Sequence, residues 1–111
     1  MSKKHNPIDY ESALDRTGGD REFLKELLDL YIQEFEGSLR ELQKAIHTHD
    51  FKGIKETGHS LKGSSGNLSL PRLQKTSSEI EISGDTKDIS RAKGLIKELE
   101  EEFERLKEFI S

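Results

Sequence analysis

Near the C-terminus, apolar residues recur at Ile89, Ala92, Ile96, Leu99, Phe103, Leu106 and Ile110, in alternating steps of three and four. That spacing places all seven on one stripe of an α-helix, where about 3.6 residues make a turn. A strand cannot present it, because strand side chains alternate with period two. The other faces carry charge, including Lys97, Glu98, Glu101, Glu104 and Glu108. Such a stripe has to be covered by other helices. They belong either to a second chain in a coiled coil or to this chain in an antiparallel bundle.

The rest of the chain supplies candidates for that cover. Phe23, Leu27, Leu30, Tyr31, Phe35, Leu39, Leu42 and Ile46 mark a long amphipathic helix from about Arg21 to Thr48, preceded by the turn Thr17-Gly18-Gly19 and a capping Asp20. Asn6-Pro7 reads as an N-cap and first-turn proline opening a short helix to about Asp15. A third helix runs from Phe51 to about Gly66. Ser69 is read as the cap of a fourth, from Leu70 to about Ser83, with Gly84 as its stop. Valine is absent and alternating β-branched runs are missing. The expected fold is all-α: an antiparallel four-helix bundle with a short additional N-terminal helix, monomeric, with Ile96, Leu99, Phe103 and Leu106 facing Leu27, Leu30 and Ile54. Residues 1–6 are expected to be a disordered tail and 7–111 one domain.

Composition removes several function classes. Of 111 residues, 36% are charged and 31% hydrophobic, which suits thin helices that each bury one stripe. With no cysteine, thiolate metal sites and cysteine nucleophiles are excluded. The net charge of −4, spread along the chain, argues against a nucleic-acid partner. No apolar run reaches the ~18 residues of a membrane span, and a cytoplasmic location is expected.

One helix has the wrong composition for a helix. Gly53, Gly58, Gly63 and Gly66 fall between Phe51 and Leu68, and each interior glycine costs about 1 kcal/mol relative to alanine. At about 100° per residue, Ile54, Gly58, Leu61, Ser65 and Leu68 share one buried line, with Gly58 and Ser65 small enough to admit a neighbouring helix. His59 falls roughly 140° from that line. Lys55, Lys62, Gly63 and Gly66 surround it at helical spacing, with Lys52 one turn further back. This is an exposed imidazole with its approach cleared and cations beside it. Such a nucleophile can receive, hold and give up an anionic group.

The run His59-Ser60-Leu61-Lys62-Gly63-Ser64-Ser65-Gly66-Asn67-Leu68 resembles the signature of histidine-containing phosphotransfer (HPt) domains, and the order of elements from about Ile8 to Ile110 is similar to theirs. The resemblance implies a protein or domain of a multistep two-component phosphorelay. His59 would accept phosphoryl through Nε2 from a receiver-domain aspartate and pass it to another receiver. Lys62 would neutralise phosphoryl oxygens and Gly63 would leave room for phosphate and partner, with Lys52, Lys55 and Gly66 on the same surface. The implied partners are response-regulator receiver domains and a hybrid sensor histidine kinase. No cofactor is implied for this chain; Mg²⁺ is expected on the receiver. Family members often place a polar side chain from the next helix near the histidine. Glu79 and Glu81 are candidates, but an acid would repel phosphate and neither is assigned. Gly58 stands where alanine is common in the family, a small-for-small change.

Two other readings compete. The chain could be the phospho-accepting domain of a chemotaxis-type kinase, a form expected to be followed by dimerisation and ATP-binding domains. It could also be a structural helical adaptor with His59 incidental. His47-x-His49 with Asp50 is a weak metal candidate, because i and i+2 point about 200° apart on a helix.

Overall fold

The computed structural model describes residues 6–110, which form five helices with no strand among them. They are α1 (Tyr10–Arg16), α2 (Arg21–His47), α3 (Phe51–Asn67), α4 (Pro71–Asp85) and α5 (Ile89–Ile110). At about 1.5 Å per residue α2 alone is some 40 Å long, which matches the 41 Å long dimension of the molecule. The expected tail lies, but for the exposed Asn6, outside the described residues.

The connections are short for a shared reason. After α1, α2, α3 and α4 the chain makes the same double closure. The amide one residue past the cap donates to the carbonyl three back, and the next amide donates to the carbonyl five back. After α2 these bonds are His49 N–H to Ile46 O (3.2 Å) and Asp50 N–H to Ala45 O (2.8 Å). This is a Schellman ending, and it puts one residue in the left-handed region: Gly18, His49, Ser69 and Lys87 in turn. Three of those four are not glycine.

In the last three turns the residue after the left-handed one is already the next helix's cap. Asp50 accepts from Gly53 N–H (3.0 Å), and Asp88 accepts from Arg91 N–H (3.0 Å). Leu70 caps α4 with no side-chain bond, followed by Pro71. Ser69 is therefore not the cap. It sits at the left-handed position, and its hydroxyl hydrogen-bonds Ser12 Oγ at 3.0 Å. At the N-terminus the cap of α1 is Asp9, which accepts from Ser12 N–H at 3.2 Å, and not Asn6. Pro7 and Ile8 are buried ahead of it, and Asp9 N–H bonds Ser69 O at 2.8 Å.

The core draws one stripe from each long helix. From α5 come Ala92, Leu95, Leu99, Phe103 and Leu106, with Leu95 buried in place of the expected Ile96, which packs only partly buried against the core, so the C-terminal stripe is covered within the chain. The α2 stripe is Leu24, Leu28, Tyr31, Phe35, Leu42 and Ile46. This differs from expectation in the first half of α2. Adjacent apolar pairs there allow two stripes one residue apart, and the one that continues to Tyr31 and Phe35 in steps of four and three is buried. Leu27 is half-buried, while Phe23 and Leu30 are nearly half exposed, so neither Leu27 nor Leu30 takes the core place expected of it. Phe35 stacks on Phe103 with ring centroids 4.0 Å apart, joining α2 to α5.

Helices α3 and α4 approach most closely, through glycine. A Cβ on Gly58 would stand 2.6 Å from Glu81 N, and one on Gly84 would stand 2.5 Å from Lys55 N. Gly84 is thus a buried crossing residue inside α4 and not its stop; the helix runs on to Asp85. Nor is Gly58 interchangeable with alanine here, because the backbone of α4 occupies the space a methyl would need.

Candidate functional site

The expected buried line of α3 is the observed one: Ile54, Gly58, Leu61, Ser65 and Leu68 all lie in the interior. Ser65 Oγ and Tyr31 Oη are 2.6 Å apart, a buried hydrogen bond that fixes α3 against α2. Burial pushes the Tyr31 phenol far above its ordinary range, so it stays neutral at any physiological pH. With that line anchored, His59 stands on the outer face with 69% of its side chain exposed.

Glu81 on α4 meets the imidazole. Its Oε2 lies 3.0 Å from His59 Nδ1, and its Oε1 lies 2.8 Å from Lys62 Nζ. One carboxylate therefore holds the histidine and the lysine together. The Lys62 hydrogen bond, outweighing the opposing desolvation and aided by the one from His59, holds the Glu81 carboxyl below its usual range. It is ionised at neutral pH and can only accept, so Nδ1 donates to it, and in the neutral tautomer that this selects Nε2 keeps its lone pair. That leaves a nucleophilic nitrogen on the far side of an exposed ring.

The other sequence candidates are placed as follows. A Cβ on Gly63 would find no heavy atom within 4 Å, so the space beside His59 is open. Lys55 is exposed but paired with Asp85 at 3.2 Å across the α3–α4 contact. Lys52 is exposed on the same outer face. Gly66 lies under the side chain of Gln74, whose amide nitrogen would be 2.8 Å from an added Cβ, so it faces α4 more than the open approach. His47 and His49 are exposed at the α2 end. Among the described residues no group of three or more His, Asp or Glu could hold a metal ion.

Sequence reasoning leaves two features of the surface around α3 unassigned. Glu81 is one; Glu79 instead pairs with Arg91 at 3.3 Å. A signal for Glu81 does exist, since Ser77 and Gly84 are small residues of α4 at the contact with α3, and Glu81 sits four after one and three before the other. The second feature is the apolar ledge left by the α2 register. Phe23, Leu27 and Leu30 border a shallow cavity of about 320 Å³ shared with Ser64, Asn67 and Leu68 of α3. No described helix is long and apolar enough to cross a membrane.

Comparison with known proteins agrees with this geometry. A curated relative, the phosphorelay intermediate protein rdeA of Dictyostelium discoideum, is 31% identical over 104 residues, covering 94% of this chain and 41% of the relative. The multistep phosphorelay regulator 1 of Schizosaccharomyces pombe is 32% identical over 80 residues, covering 72% of this chain and 27% of the relative. This chain thus spans less than half the length of either curated relative. Among solved structures, histidine-containing phosphotransfer protein B from Pseudomonas aeruginosa superposes with a TM-score of 0.88 at 26% identity, over 96% of this chain and 93% of that one. The HPT domain of a sensor hybrid histidine kinase from Shewanella shares the fold, with a TM-score of 0.79 at 19% identity over 95% and 91%. The Hpt domain family model matches residues 26–109, so the chain is a member of the Hpt domain family.

Proposed function

We propose that this chain is a phosphorelay intermediate: His59 takes a phosphoryl group from an aspartate of one receiver domain and yields it to an aspartate of another. The observation that carries the reading is the exposed imidazole, tied at Nδ1 by Glu81, with open space at Gly63 beside it. In acceptance, the Nε2 lone pair attacks phosphorus, the N–P bond forms, and the bond from phosphorus to the aspartyl oxygen breaks, leaving a carboxylate. In donation the same bonds exchange in reverse. Lys62, one turn from His59, supplies positive charge for phosphoryl oxygens. Gly63 supplies access, and Lys52 and Lys55 add to the positive field of the approach. Mg²⁺ and the acids that hold it belong, in this reading, to the receiver, and a hybrid sensor histidine kinase is the upstream source.

The α2 ledge supports a protein partner. Phe23 and Leu30 expose 46% and 49% of their surface on the side of α3 that carries Ser64 and Asn67, round the helix from His59, and exposed apolar residues clustered on one surface mark a docking site. The test is transfer in both directions with purified receivers. Label should pass from a phosphorylated receiver to this chain and on to a second receiver. His59→Gln should fold normally, since the side chain is exposed, and carry no label. Label on that variant would move the site elsewhere.

A further inference from the structure

The contact between Glu81 and His59 bears on how phosphate leaves as well as how it arrives. When a receiver carboxylate oxygen attacks phosphorus on phosphorylated His59, the Nε2–P bond breaks and its electron pair returns to Nε2. If Nδ1 carries a proton, the group that departs is neutral imidazole. Without that proton it is imidazolate, a far stronger base and a far poorer leaving group. We propose that Glu81 is a positioning residue that keeps the proton on Nδ1 of the phosphorylated ring, and so keeps this chain a competent phosphoryl donor well above neutral pH. Glu81 acts through the ring and does not touch the phosphoryl group. The inference rests on the phosphotransfer reading of His59.

The charges around the ring make that role specific. On α3 the neighbours are Lys52, Lys55, Lys62 and Glu56, and the lysines oppose a protonated ring. From α4 come Glu81, in contact at 3.0 Å, and Asp85, which is spent on Lys55. From α2, Glu34, Glu41 and Lys44 line cavities further round α3, beside Ser64 and Ser60 rather than His59. Glu81 is thus the carboxylate that offsets the lysines at Nδ1. A bare carboxylate this close would repel phosphate, but Lys62 sits on its other oxygen at 2.8 Å and cancels much of its charge. Each of the two partners limits the cost of the other.

Glu81→Gln separates charge from shape, because the amide oxygen still accepts a hydrogen bond from Nδ1. Wild type and variant are phosphorylated with phosphoramidate, a small donor that needs no partner protein, with His59→Gln as control. Ring ¹⁵N shifts and loss of phosphate to water are then followed from about pH 6 to 9. The wild-type ring should lose its Nδ1 proton about one pH unit or more above the variant, and its dephosphorylation rate should fall off correspondingly later. Equal midpoints in the two phosphorylated proteins would overturn the inference while leaving His59 as the acceptor. No phosphate on His59 would overturn the phosphotransfer reading itself. If Glu81→Gln does not fold, the unphosphorylated wild-type ring decides: an Nδ1–H tautomer is required, and an Nε2–H tautomer refutes the proposal.

Discussion

Lys62 and Gly63 are neighbours in sequence, but physics treats them differently. In the proposed transfer Lys62 acts by charge on a group bearing close to two negative charges. Lys62→Ala should slow transfer about ten- to a hundredfold, the effect of roughly 1–3 kcal/mol in a charge-assisted hydrogen bond, while receiver binding changes little. Stopped-flow transfer and a binding titration read the two separately. Gly63 acts by absence: its vacant side meets nothing within 4 Å. Gly63→Gln should raise thermal stability by several tenths of a kcal/mol, about the propensity gain, and yet block transfer. A destabilised variant that transfers normally would make Gly63 a packing residue. Glu81 adds a pH dependence with a definite sign. Its carboxyl is held low in the fold, so the stability it contributes is complete above the ordinary carboxylate range and is lost as pH falls through its lowered value. The stability difference between wild type and Glu81→Gln should therefore close on acidification below about pH 4.5, as thermal melts at successive pH values would show.

At the scale of elements, helix existence was legible in the sequence and helix ends were only partly so. The α3 line appears where periodicity places it, and so does the α5 stripe except that Leu95 is buried and its neighbour Ile96 only partly so, because both are dictated by burial at the helical period. The α2 register was ambiguous for a local reason. Phe23-Leu24, Leu27-Leu28 and Leu30-Tyr31 each offer two apolar residues side by side, and only tertiary packing decides which goes inside. Gly84 was misread as a terminator because an αL cap and a close helix crossing both call for glycine. Ser69 was misread as a cap because the Schellman geometry, set by backbone bonds, places it one residue earlier. That same geometry yields a prediction. Lys87 is exposed with φ 57°, where a side chain costs about 1 kcal/mol. Lys87→Gly should raise the melting temperature by a few degrees despite glycine's greater freedom when unfolded; no change or a decrease would mean the side chain contributes elsewhere.

The whole molecule divides its surfaces between stability and exchange. The α5 stripe is consumed inside, with Leu99 and Leu106 fully buried, so a dimer through that stripe would require the bundle to open. Light scattering at micromolar concentration should give one chain per particle. The α3–α4 crossing couples the core to the site, because Gly58 brings the Glu81 backbone against the helix that carries His59. The site was legible in one half only. His59, Lys62 and Gly63 lie together in one helix, whereas Glu81 enters from another and depends on the crossing. The account as a whole stands on one nitrogen. Intact-mass spectrometry of the chain after incubation with a phosphorylated receiver and Mg²⁺ tests it most directly, in wild type and in His59→Gln. The account predicts one added phosphoryl group on the wild type, lost on brief acid treatment, and none on the variant. An acid-stable phosphoryl group, or equal labelling of the two chains, would contradict it.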